Sequence, residues 1–116
     1  MLPPKVYEEA RRTAAEHVLV AIERVGPLSG RWFGTCKIEA RVVRCWRGRL
    51  GPGDAVTFEV ACIRPEAPRR DVPIGSTLWL PLEKVQAACV LEAFLDRDGA
   101  RLDVASGQVS IVTATG

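Results

Sequence analysis

The chain has 116 residues, 47% of them hydrophobic and 26% charged, with a formal net charge of +2. These fractions fit an ordinary globular chain and exclude general disorder. A chain of this length buries about two-thirds of its unfolded surface, enough for one core but not two, so a single domain over 1–116 is expected. No apolar run approaches the ~18 residues of a membrane-spanning helix, and so small a net charge gives no general pull toward nucleic acid or anionic lipid.

Taken in chain order, residues 4–16 read as one helix. Pro4 suits a first turn, Glu8 and Glu9 lie toward the positive end of the dipole, and Arg11 and Arg12 lie later. Val6, Ala10, Thr13 and Ala14 form its narrow apolar stripe. Residues 17–25 read as a strand, apolar on both faces around Val18-Leu19-Val20-Ala21-Ile22 and therefore expected to be covered on both sides. After a Gly- and Pro-containing loop carrying Trp32 and Phe33, residues 35–46 form a long strand. Cys36, Ile38, Ala40 and Val42 alternate with Lys37, Glu39 and Arg41, and the phase then flips to Val43 and Cys45, which predicts a β-bulge. Residues 47–54 are a turn, and 54–63 alternate again through Val56, Phe58, Val60 and Cys62. The proline-rich stretch 64–77 is irregular. Residues 82–86 suit one helical turn, and strands over 88–96 and 101–112 close the chain around the Asp98-Gly99 turn.

Five strands, one of them long and bulged, with a helical piece between the third and fourth, predict an all-β fold with one N-terminal helix: a small five-stranded OB-like β-barrel. A two-sheet sandwich is the competing arrangement. The central hairpin, Val43-x-x-Trp46-x-Gly48 followed by Gly51-Pro52-Gly53-Asp54-x-Val56-x-Phe58, resembles the second and third strands of bacterial netrin-like domains. Those are OB barrels related in fold to the tissue inhibitors of metalloproteinases, and the resemblance extends from His17 to Val112. Such inhibitors present an N-terminal cysteine to the catalytic zinc. Here the first cysteine is Cys36, so the resemblance implies the barrel and not the inhibition.

The chemistry-bearing residues are sparse. The lone histidine, His17, has only Glu16 and Glu23 as near acids in sequence, and no motif links them, so no catalytic residue is assigned. Asp96, Asp98 and Asp103 around Gly99 read as hairpin chemistry. Cys36, Cys45, Cys62 and Cys89 lack metal-ligand spacing, and no metal or cofactor is expected. Between Arg31 and Arg49 the cations Arg31, Lys37, Arg41, Arg44, Arg47 and Arg49 face the single acid Glu39. Trp32, Phe33 and Trp46 are interleaved with them. A binding face of Trp32, Phe33, Arg41, Arg44, Trp46 and Arg47 follows. On an OB barrel such a face suits single-stranded nucleic acid. The competing reading, favoured by the low net charge, is a solvated outer face whose arginine stems cover apolar surface. The chain as a whole reads first as a non-catalytic binding or protein-interaction module of unknown ligand. Arg64, Arg69 and Arg70 form a smaller basic group suited to a protein partner.

Pairing the inward residues of the second and third strands places Ala40 opposite Phe58, Ile38 opposite Val60 and Cys36 opposite Cys62, with Val42 and Val43 bulged against Val56. That register makes Cys36 and Cys62 a cross-strand pair within disulfide reach, at the cost of setting Glu39 against Glu59. The chain as it begins carries no signal peptide and reads as cytoplasmic; an oxidised Cys36–Cys62 pair behind a removed leader would instead mark export.

Overall fold

The computed structural model describes residues 3–71, 78–99 and 101–112. Helix α1 (Pro4–Thr13) starts on a proline and stops at Ala14, whose N–H still reaches Ala10 O before the backbone turns extended. Tyr7 is its buried residue and Ala14, just past its end, is buried too, whereas Val6 is 39% exposed, so the buried face is rotated from the predicted stripe. Strands β1 (Glu16–Val25), β2 (Phe33–Arg47) and β3 (Ala55–Ile63) follow. A short 3-10 turn at Arg69–Asp71 precedes the brief β4 (Leu80–Pro81) and helix α2 (Leu82–Ala87). Strands β5 (Val90–Asp98) and β6 (Arg101–Val112) complete the fold. Residues 72–77 of the expected irregular stretch and Ala100, between the last two expected strands, lie outside the described residues.

One sheet contains all six strands in the order β4-β3-β2-β1-β5-β6, curled into a half-barrel. Three expectations are corrected here. The sheet has six strands among the described residues and not five, because β4 adds a parallel rung to Cys62 and Ile63. The barrel is not closed by a ladder: β3 and β6 approach each other, but no pairing joins them among the described residues. The β2–β3 register also differs. Ala40 faces Val56, Ile38 faces Phe58, Cys36 faces Val60 and Gly34 faces Cys62. A shift of two residues preserves every inward-facing set, so the apolar pattern cannot distinguish the registers. Charge can: the observed register sets Lys37 against Glu59 and Glu39 against Thr57, removing the like-charged pair.

The bulge is present, but it is used toward β1. Leu19 pairs with Arg44 and Val20 with Val42, which leaves Val43 as the extra residue, 49% exposed. Past the bulge Cys45 turns inward, as the phase flip predicted, while Val43 does not. Inside the curl Val18, Val20, Ile38, Phe58, Leu91 and Leu95 are all but fully buried, each contributing about 1.5–3 kcal/mol of hydrophobic stabilisation. Leu82 and Val85 of α2 join the same core. The outer face of β1 differs from expectation: Leu19 and Ala21 are only partly buried, and β1 makes its extensive contacts with β2 and β5.

Candidate functional site

At one end of the half-barrel the inward face of β1 carries a carboxylate. Glu16 is 1% exposed. Its Oε1 accepts from Leu50 N–H at 2.9 Å and its Oε2 from Arg49 N–H at 3.1 Å, and Arg97 Nε adds an ion pair at 3.2 Å. Burial pushes the carboxyl up, but the Leu50 and Arg49 N–H groups and Arg97 together outweigh it and hold Glu16 below its ordinary range. Every oxygen is engaged, so this group anchors the β2–β3 turn and the β5–β6 hairpin to the strand.

On the outer face of the sheet, His17 lies between two aromatic rings. Its centroid is 4.0 Å from that of Phe94, stacked, and 4.5 Å from that of Trp46. Its Nε2 is 2.8 Å from Glu92 Oε2. The Arg44 guanidinium lies over the Trp46 ring, 5.1 Å from its centroid. The next cross-strand row is Arg44, Leu19 and Glu92, on β2, β1 and β5. Phe94, Glu92 and the placement of His17 were not legible from the basic segment. The alternation of Glu92 and Phe94 along β5 was the available signal.

The six candidate face residues do not converge. Arg44 and Trp46 share the outer face just described. Arg41 is held by Glu23 at 3.0 Å and by Gly53 O at 3.1 Å. Arg47 donates to Ala14 O at 3.0 Å and Arg11 O at 2.5 Å, so it holds the C-terminal end of α1 and is not offered to a ligand. Phe33 opens β2 and Trp32 immediately precedes it, about 40 Å of strand away from Trp46. There Arg31 stands over Trp32 at 5.0 Å, Phe33 meets Trp79 edge-on at 5.3 Å, and Arg64 donates to Arg31 O at 3.0 Å. The single continuous basic and aromatic face is thus corrected to two clusters at opposite ends. Strand alternation and the bulge divide residues that are neighbours in sequence.

Cys36 and Cys62 are both fully buried and both free. In the observed register they are diagonal neighbours on the inner face. Burial pushes both thiols up, Cys62 to about 12 with Cys36 beside it adding to the rise.

A cleft of about 340 Å³ opens along the seam between β3 and β6, lined by Lys37, Thr57, Glu59, Arg101, Leu102 and Asp103 above Phe58. Lys37 faces Glu59 across the β2–β3 ladder, and Arg101 pairs with Asp103 at 2.9 Å, so the walls carry both signs of charge. From residue 55 to residue 61 the outer edge of β3 has no ladder partner among the described residues. No family model, no curated protein and no solved structure matches this chain. Any role has to rest on these surfaces.

Proposed function

We propose that the chain is a non-catalytic interaction module built on an OB-type barrel, and that it receives an extended peptide segment of a protein partner in the β3–β6 seam. Four features support the OB reading. The first three long strands are consecutive neighbours, β5 lies on the far side of β1, β6 lies outside β5, and α2 falls between the third and fourth long strands with its apolar side in the core. The hairpin resemblance to netrin-like domains enters at the level of the fold alone.

The free edge of β3 beside the cleft is the observation that carries the reading. An unpaired strand edge supplies backbone donors and acceptors to an added strand, and the flanking cleft supplies side-chain selection. Walls carrying Lys37 and Arg101 against Glu59 and Asp103 suit a peptide of mixed charge. They suit a phosphate backbone poorly, since binding to that polymer rises with unopposed positive charge.

Panning a random-peptide display library against the protein, followed by amide shift mapping, tests this. Enriched peptides are expected to perturb residues 57–59 and 101–103. Enrichment of no peptide, or a footprint elsewhere, overturns the reading. Salt-dependent binding of single-stranded DNA or RNA at the Arg44–Trp46 surface would put the nucleic-acid alternative in its place.

A further inference from the structure

We propose that the outer face of β2, β1 and β5 is a self-association surface through which two copies of this chain pack sheet on sheet. The sequence of β1 is apolar on both faces, yet only its inner face is covered. Outside, Leu19 and Ala21 are partly exposed, Trp46 is 42% exposed, and among the described elements only the flanking strands contact β1 extensively.

The charges on this face select a second copy as its occupant. Arg44 and Glu92 flank Leu19 from opposite sides in one cross-strand row. They stand two strand spacings apart, about 10 Å, which is too far for a direct ion pair within one chain. Among the described residues Arg44 makes no ion pair and Glu92 meets only His17. A two-fold axis running parallel to β1 above Leu19 exchanges left and right. It places each Arg44 over the Glu92 of the other copy, Leu19 over Leu19, and each Trp46 over the Phe94 of the other copy. An axis perpendicular to the strands would instead set Arg44 over Arg44, so the charge pattern fixes the orientation. The same patch then meets itself, as an isologous interface requires, with the sheets about 10 Å apart.

The patch spans roughly 14 by 20 Å, well short of the ~800 Å² per partner of a standard stable interface. The dimer is therefore weak and concentration-dependent.

Sedimentation velocity over micromolar to millimolar concentrations tests it, using the chain and two charge-reversal variants. The wild type is expected to shift from monomer toward dimer as concentration rises. Arg44→Glu and Glu92→Arg should each remain monomeric, because each places like charges at both contacts. An equimolar mixture of the two variants should regain the dimer, since every contact is then of opposite sign. Rescue by mixing requires both variants to be folded, so misfolding cannot imitate it. A wild type that stays monomeric up to millimolar concentration overturns the proposal. So does a dimer indifferent to the two reversals, or a mixture that remains monomeric.

Discussion

Gly48 presses its backbone against the carboxylate of Glu16, so closely that a Cβ at position 48 would collide with it. The glycine has φ 122°, a conformation that side-chain-bearing residues rarely adopt. Both features serve one arrangement: the chain leaves β2, turns around the carboxylate and delivers the Arg49 and Leu50 N–H groups to it. A buried acid at the first residue of β1 thereby sets the path of a turn more than thirty residues later.

Gly48→Ala is expected to destabilise the fold by about 2–4 kcal/mol, combining backbone strain with displacement of the Glu16 carboxylate. Gly53→Ala, at φ 92° but with open space where its Cβ would go, carries the strain alone and should cost about 1–2 kcal/mol. Urea unfolding of the two variants checks the order. Equal losses would show that the Glu16 contact contributes nothing.

Acid should reach the same anchor. The folded Glu16 carboxyl lies below the ordinary value of 4.5, so its contribution is fully present above that pH and is lost as pH falls through the lowered folded value. Stability measured downward from pH 5 should decline, and Glu16→Gln should decline less steeply over that window while being less stable by about 2 kcal/mol at pH 7. Parallel pH profiles for the two proteins would contradict this assignment.

Arg47 gives a different kind of prediction, because its guanidinium reaches two carbonyls at the end of α1 and no ligand surface. Arg47→Ala should cost on the order of 1 kcal/mol and accelerate amide exchange in residues 4–13, with the sheet unaffected. Unchanged exchange in the helix would refute the capping role.

Much of the fold was legible because alternation is a strong signal wherever one face is buried. Cys36, Ile38, Ala40 and Val42 on β2 and Val56, Phe58, Val60 and Cys62 on β3 all turn inward as their alternation implies. The β2–β3 register was not legible from that pattern, because an even shift leaves every inward set inward. The Glu39–Glu59 clash was the one visible clue, and the structure resolves it by two residues. The candidate face was legible only in part. Arg44 and Trp46 stay together, but Arg47 turns to α1, and His17 acquires Glu92 from a strand 75 residues away. Contacts of that range follow from strand order, which residue spacing does not encode. The Asp98-Gly99 turn was local, and it stands where the sequence placed it, with Gly99 at φ 63°.

The register correction changes what is expected of the buried thiols. Directly opposed residues would have been about 4.5–5.5 Å apart at Cα. Diagonal neighbours stand about 7–8 Å apart, beyond the usual range for a disulfide. The thiolate is the reactive form, and burial pushes Cys62 up to about 12 and raises Cys36 as well. Cys89 is exposed and Cys45 is half-buried, with its Sγ donating to Arg47 O at 3.2 Å. A native sample treated with an aromatic disulfide reagent should therefore modify Cys89 first and Cys45 next. Cys36 and Cys62 should react only at the rate at which the half-barrel opens, and all four should react together in denaturant. Mass spectrometry after brief alkylation, with peptide mapping, assigns each site. Prompt native modification of Cys36 or Cys62 would contradict their burial, and an intact mass lower by two hydrogens that maps to a bond between them would contradict the diagonal register.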